Sequence, residues 1–336
     1  MSKLRILGIE SSCDETAASV VENGRTVLSN VIASQIDIHR RFGGVVPEIA
    51  SRNHAMAVIQ VVDEALTSAG IAADGIDAIA VANRPGLIGA LLVGVSAAKA
   101  LAYTLRKPLV AVSHTAAHVA GNYLTYPDLA PPFVCLLVSG GHTELLRVDG
   151  YTSSTVLGKT TDDACGEAFD KVARVLGLPY PGGPEIDRLA QTGNARIDFF
   201  KNAKPAGNAD SLDFSYSGLK TAVISYLHNA KQRGEAVNAA DVAASFARYA
   251  VQQPVAKALR ACRMCGSTKL VLAGGVSANT QLREAMSAMC EREGIALYVP
   301  PVALCTDNAA VVASLGYYHL LAGEGIATLD LNAYAG

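Results

Sequence analysis

Apolar and polar positions alternate from residue 5 to 34, in the run RILGIESSCDETAASVVENGRTVLSNVIAS, with polar breaks at 11–15 and at Asn23-Gly24. The pattern predicts a β-hairpin with a polar turn, followed by a second turn. Next, apolar residues at 55, 58, 59, 62, 65 and 66 fall at helical spacing and stop at Gly70. A short buried strand (76–82), an apolar helix (87–105), a second strand (107–113) and a helix opening at His114 complete the first half. Proline and small residues at 125–132 mark a joint. Beyond it the order repeats: strand, tight turn, strand, strand (133–160), then a helix at 162–177. A polar insertion over 179–213, two helical stretches near 219–230 and 240–261, strand, helix, strand and a final helix at 306–323 follow.

Each half therefore reads hairpin, helix, strand, helix, strand, helix. The simplest account is an internal duplication giving two α/β lobes, a first over 1–125 and a second over 126–336. A helical insertion at about 179–255 would belong to the second, and the last helix could cross back to the first. Two such lobes would leave a ligand cleft where they meet. By this two-fold, the strand-to-helix step at His114 corresponds to the step at Asp307, one in each lobe.

Composition narrows the class. Of 336 residues, 50% are hydrophobic and 17% charged, with a net charge of −2, which fits a globular protein and not a nucleic-acid coat protein. Basic stretches at 39–54 and 260–269 read as solvated faces. Seven scattered cysteines give no disulfide framework. The N-terminus lacks a signal-peptide pattern, and the apolar run between Arg84 and Lys99 falls short of a membrane span, so a cytoplasmic setting is expected.

Three places could carry chemistry. His114 and His118 are four residues apart, so both rings leave one helix face, a spacing that suits one divalent metal. An ordinary pair of surface or core histidines has the same spacing. Asp307 would add a carboxylate, unless its oxygens serve as a helix N-cap. Thr115 stands where a zinc protease needs Glu, so that class is excluded. Gly140-Gly141 and Gly274-Gly275 could bring backbone N–H groups to an anion or a nucleotide, although the first alone reads equally as a plain hairpin turn. No Walker-type phosphate loop is present. The CRMC pair at 262–265 has no second pair and reads as a helix end.

Nine segments in order carry a resemblance: GIESSCDETAASV (8–20), VPEIASRNH (46–54), RPGLIGALLVGVSAAKAL (84–101), SHTAAHVAGN (113–122), LLVSGGHTEL (136–145), DDACGEAFDKVARVLGLPYPGGPEID (162–187), DFSYSGLKTAV (213–223), LVLAGGVSAN (270–279) and CTDNAA (305–310). Together they resemble the universal tRNA threonylcarbamoyltransferase catalytic subunits, TsaD in bacteria and Kae elsewhere, formerly described as O-sialoglycoprotein endopeptidases. The resemblance implies a two-lobed, actin-like ATPase, sugar kinase and Hsp70 (ASKHA) α/β fold with duplicated RNase H-like lobes. It also implies transfer of threonylcarbamoyl from threonylcarbamoyl-AMP to N6 of adenosine 37 in tRNAs reading ANN codons.

By the same resemblance His114, His118 and Asp307 are metal ligands, for Fe2+ or alternatively Zn2+. Leu137, Val138, Ser139, Gly140, Gly141, Asp170, Gly183, Asp187 and Asn279 fall on positions that bind the substrate nucleotide, ATP or threonylcarbamoyl-AMP. Asp14 and Glu15 fall on the acidic turn near the reacting centre. Implied partners are tRNA, a paralogous TsaB-like actin-fold scaffold and a small TsaE-like P-loop ATPase. Two other classes share the fold, a non-catalytic scaffold and a true ATPase or sugar kinase. Neither needs the histidine pair.

Overall fold

The computed structural model describes residues 3–200 and 211–335, so the KNAKPAGNAD stretch of the expected insertion lies outside the described residues. The chain forms two compact units. The first comprises Met1–Pro131, Gly150–Ser153 and Pro300–Gly336, and the second Pro132–Asp149 and Ser154–Val299.

The first unit runs β1 (Arg5–Glu10), β2 (Glu15–Glu22), β3 (Thr26–Ser34), α1 (Ile36–Arg40), α2 (Pro47–Ala69), β4 (Ala78–Arg84), α3 (Ile88–Leu105), β5 (Leu109–Ser113) and α4 (His114–Thr125). The second holds β6 (Phe133–Val138), β7 (Thr143–Val148), β8 (Ser154–Lys159), α5 (Cys165–Val175), α6 (Gly182–Ala190), α7 (Ser217–Gln232), α8 (Ala239–Cys265), β9 (Lys269–Ala273), α9 (Thr280–Glu293) and β10 (Ala296–Tyr298). The chain then returns to the first unit with α10 (Val302–Cys305), α11 (Ala309–Ala322) and β11 (Ile326–Ala327).

The sheets share one design. The first has the order β11-β5-β4-β1-β2-β3 and the second β10-β9-β6-β7-β8. Leaving aside the edge strand β11, both have an antiparallel meander on one side and two parallel strands on the other. The β1–β2 and β6–β7 hairpins are equivalent, as are the helix-preceding strands β5 and β10.

Alternation along β1 sets the layers of the first unit. Leu7 and Ile9 face a core shared with Val58, Val62, Leu91 and Val95 of α2 and α3. Gly8 points the other way, against α11, and a Cβ there would lie 2.4 Å from Ala309 O. Gly316 of α11 does the same toward Ala80. Backbone-to-backbone approach, combined with a helix apolar on nearly every side, seats α11 on the first sheet.

Two further contacts place the ends of helices in this unit. The Arg25 guanidinium donates to the carbonyls of Tyr123, Tyr126 and Leu129 at 2.8–3.0 Å and lies over three tyrosine rings, which fixes the C-terminal end of α4. The apolar helix expected over 87–105 is α3, and Lys99, which bounds its uncharged apolar run, does not interrupt it. Lys99 Nζ donates to Leu331 O at 2.9 Å and the helix continues to Leu105. Among the described residues α3 alone is long and apolar enough to cross a membrane, and here it packs on α2 and β4.

In the second unit Val134, Leu136 and Val138 of β6 pack with Phe169 and Val172 of α5, Phe246 and Ala250 of α8, and Leu282 and Met286 of α9. The CRMC pair ends α8, and both thiols are free.

Candidate metal and transfer site

Ser113 ends β5 and caps α4, its hydroxyl accepting from the Ala116 N–H. His114 is therefore the first helical residue and His118 lies one turn on. Their ring centroids are 4.7 Å apart. Gly121, a further three residues along, lets the 301–305 turn approach, since a Cβ there would sit 3.0 Å from Leu304 O. That approach delivers Asp307, whose Oδ1 is 3.7 Å from His114 Nε2 and 3.5 Å from His118 Nε2.

Asp307 is not the helix cap. Asn308 takes that role, accepting from the N–H groups of Ala310 and Val311 at 3.1 and 3.2 Å. The carboxylate of Asp307 is thereby left to face the imidazoles. The spacings are long for hydrogen bonds but match about 3.4 Å, the separation of two ligands that share one ion at about 2.1 Å in tetrahedral geometry. One ligand atom from each of the three residues can be chosen so that all lie within 4.8 Å of one another. Two imidazoles and a carboxylate fit a divalent first-row metal. The two-fold argument assigned Asp307 to a different lobe from the histidines. All three instead belong to the first unit, because α11 is seated on β1 through Gly8.

Glu10, at the end of β1, completes the arrangement. Its Oε2 lies 2.9 Å from His114 Nδ1, on the ring edge opposite Asp307, and its Oε1 accepts from the Ser12 N–H at 2.6 Å. A carboxylate behind a histidine fixes the ring and raises its basicity, as in metal centres generally. Burial would lower the His114 pKa, yet Glu10 and Asp307 outweigh it and raise it to about 9. Burial would likewise raise the Glu10 carboxyl, but His114 and Ser12 hold it below the usual carboxylate range. Asp307 is pushed up to about 6, first by burial, with His114 opposing and Glu10 and Asp14 adding to the rise. Carboxylates crowded this way favour a cation among them.

The acidic turn lies beside this cluster. Asp14 is buried, and Glu15 is half-buried at the start of β2. Glu15 Oε1 accepts from Ser34 Oγ at 2.8 Å, while its Oε2 is buried with no hydrogen-bond partner. Burial, then the charges of Asp14 and Asp307, raise the Glu15 pKa to about 7 against the opposing Ser34 bond.

The expected nucleotide residues all lie in the second unit. Leu137 and Val138 end β6. Ser139 Oγ accepts from the His142 N–H at 3.1 Å, closing the turn. Neither Gly140 nor Gly141 has a positive φ, and a Cβ on either would meet open space. Two other glycines are the tight ones. Gly166 brings α5 against Ser139 O and Gly140, and Gly274, at φ +87°, brings the end of β9 to 2.4 Å from Val138 O, measured from a Cβ built there. Gly274 does not itself open an α-helix. A 3-10 turn (Gly275–Ala278) intervenes, and α9 starts at Thr280 under an Asn279 cap.

Asp187 then ties two elements together, accepting from Asn279 Nδ2 at 3.0 Å and from the Thr280 N–H and hydroxyl at 3.1 and 2.9 Å. Asp170 Oδ1 accepts from the Gly182 N–H at 2.7 Å beside Gly183.

A family profile described as "TsaD: tRNA N6-adenosine threonylcarbamoyltransferase" matches residues 26–314. A protein of that name from Clostridium perfringens (strain SM101 / Type A) is 53% identical over 333 residues, covering 99% of this chain and 97% of the relative. The chain belongs to the tRNA N6-adenosine threonylcarbamoyltransferase family. One from Moorella thermoacetica (strain ATCC 39073 / JCM 9320) is 54% identical over 332 residues, with 99% and 96% covered. The activity is that of a transferase, forming the threonylcarbamoyl modification of adenosine (t6A) in tRNA.

Solved structures establish the fold as the actin-like ATPase (ASKHA) fold. HypF from T. kodakarensis superposes with a TM-score of 0.62 at 15% identity, over 98% of this chain and 49% of that one. The (R)-2-hydroxyglutaryl-CoA dehydratase component A of Acidaminococcus fermentans gives 0.54 at 13%, over 95% and 99%.

Three residues of the site escaped the sequence reading: Glu10, Gly121 and Asn308. Glu10 had a visible signal, a lone acid at the C-terminal end of an otherwise apolar strand. Gly121 and Asn308 had none beyond their neighbourhood to His118 and Asp307.

Proposed function

We propose that the chain uses threonylcarbamoyl-AMP as donor and N6 of adenosine 37 as acceptor, in tRNAs reading ANN codons. The adenine amine is a weak nucleophile because its lone pair is delocalised into the ring. It needs a group that takes a proton as the new bond forms. Glu15 suits that task and is the observation on which the reading rests. Its Oε2 is buried without a partner, and its pKa of about 7 keeps it both available and basic at neutral pH. As N6 bonds to the donor carbonyl, the bond to the AMP phosphate oxygen breaks and the N6 proton passes to Glu15. Asp14, the neighbouring buried acid, orients the amine.

His114, His118 and Asp307 would hold a divalent cation, Fe2+ by preference and Zn2+ as the alternative. When bound, such an ion supplies Lewis-acid polarisation of an oxygen of the donor. Glu10 holds His114 in the orientation this requires. In the second unit the turn that Ser139 closes offers the backbone N–H groups of Gly140 and Gly141 to the phosphate, and open space where a Cβ would stand on either glycine leaves room for the ligand. Asp170, Gly183, Asp187 and Asn279 surround the rest of the nucleotide, Leu137 and Val138, buried at the end of β6, support the turn from below, and ATP could take the same place. A cytoplasmic setting, a TsaB-like actin-fold scaffold and a small TsaE-like P-loop ATPase complete the reading.

The test supplies synthetic threonylcarbamoyl-AMP and unmodified tRNA to the chain with those two partner proteins. Modified adenosine is followed by mass spectrometry. Glu15→Gln should lower the transfer rate about 100-fold, within the usual range for a lost general base. Full-rate transfer by that variant would remove Glu15 from the mechanism.

A further inference from the structure

Three successive carbonyls of the turn between β1 and β2 are each bonded by a different part of the first unit. Ser12 O accepts from the Leu87 N–H at 2.8 Å, and Asp14 O from the Gln35 N–H at 3.1 Å. Cys13 O, between them, lies 3.0 Å from Nε2 of His54. The first two donors are main chain. Of the three donors to these carbonyls, only His54 uses a side chain.

His54 is fully buried on α2. Its other nitrogen, Nδ1, lies 2.7 Å from the hydroxyl of Thr16, itself buried. The chemistry of the partners fixes the ring. A carbonyl only accepts, so Nε2 carries the proton, and Nδ1 accepts from the Thr16 hydroxyl. Burial keeps the ring neutral, with His39 adding to that effect and Cys13 O, Glu10 and Asp14 opposing it. Both polar ends of this buried side chain are thus used on residues 13 and 16, which bracket Asp14 and Glu15. A leucine would fill similar space without either bond, so the histidine is needed for orientation and not for bulk.

We infer that His54 is a positioning residue for transfer: a neutral, Nε2-protonated clamp that sets the Asp14 and Glu15 carboxylates. The inference rests on the role given to Glu15 above. It assigns a task to the VPEIASRNH segment, which the metal and nucleotide residues leave unexplained.

The experiment compares His54→Leu, which loses both bonds, with His54→Gln, which keeps a donor for Cys13 O, in the full chain with its partners. His54→Leu should lower kcat 10- to 100-fold with KM for tRNA and for the adenylate within twofold and bound metal unchanged. His54→Gln should recover most of the rate. In a Glu15→Gln background His54→Leu should cost no more than twofold, because the group it positions is already gone.

Thr16→Val, which removes one bond without emptying the site, should lower kcat three- to tenfold, and it serves if His54→Leu does not fold. Nitrogen-15 histidine NMR of the unmodified chain should show the Nε2–H tautomer of His54 from pH 6 to 8. An imidazolium or Nδ1–H signal there would overturn the clamp. So would a His54→Leu rate within twofold of the parent, or equal losses in both His54 variants accompanied by loss of metal. Glu15→Gln at full rate beside an impaired His54→Leu would remove the role given to Glu15, while leaving the clamp acting on the turn through Asp14.

Discussion

The turn from β1 to β2 and the turn from β6 to β7 hold the same place in two sheets of the same strand order. The first is closed. Its carbonyls are bonded by Leu87, His54 and Gln35, it carries Asp14 and Glu15, and Ser12 Oγ sits 3.1 Å from Nδ1 of His114. The second is open. Beyond the Ser139–His142 pair, its glycines have free space where side chains would stand. One backbone plan thus serves two chemistries. The turn proposed to hold a proton acceptor is immobilised and acidic, while the turn proposed to accept a phosphate keeps open space where side chains would stand on its two glycines. The glycines that are sterically essential lie behind the open turn, at Gly166 and Gly274, and not in it.

The contrast can be broken at the metal first. His118→Ala should reduce bound metal by at least about 100-fold, read by elemental analysis, and leave nucleotide affinity of the second unit within twofold. A parallel loss of nucleotide binding would mean that the two turns are not chemically separate.

Glu15→Gln, expected to cost about 100-fold in rate, sharpens the acidic side. The parent kcat/KM should rise with pH through about 7, and this limb should vanish in the variant. Stability should respond as well. The folded pKa of Glu15 lies above its unfolded value of about 4.3, so the folded state holds the extra proton in that window and stability falls as pH rises from there to about 7. Glu15→Gln should therefore melt at a higher temperature than the parent at pH 8, and the gap should narrow toward pH 4.

Glu10→Gln removes the carboxylate behind His114 and should weaken metal binding about 10- to 100-fold, measured by competition with a chelator. Gly274→Ala forces a Cβ into Val138 O at positive φ and should cost about 1–3 kcal/mol in denaturant unfolding. Gly140→Ala should cost less than about 0.5 kcal/mol, since nothing stands in its way, yet still weaken adenylate binding. If Gly140→Ala destabilised the fold as much as Gly274→Ala, the open turn would not be open.

Much of this was legible in the chain. Alternation from 5 to 34 and the strand, tight turn, strand, strand order from 133 to 160 placed the meanders, and helical spacing placed α2. The i, i+4 histidines announced one helix face. Period and spacing are local properties, set by 3.6 and 2 residues per repeat, and need no knowledge of the rest of the molecule. The alternative of Asp307 as a cap stayed open in the sequence because Asp and Asn are both good caps, and only the tertiary structure shows that Asn308 takes the N–H groups and releases the acid. Glu10 behind His114, and His54 behind the acidic turn, are pairings across 104 and 41 residues.

The sequence by itself determined two copies of one strand order, a pair of imidazoles on one face, an acidic turn and a family. Tertiary structure alone decided that Asp307, the third member of the cluster, comes from the returning C-terminal segment and belongs to the same unit as the histidines. The reason is steric. Gly8 and Gly316 let α11 press onto the first sheet closer than any side chain would permit, and no periodicity in a single segment records how near two backbones come.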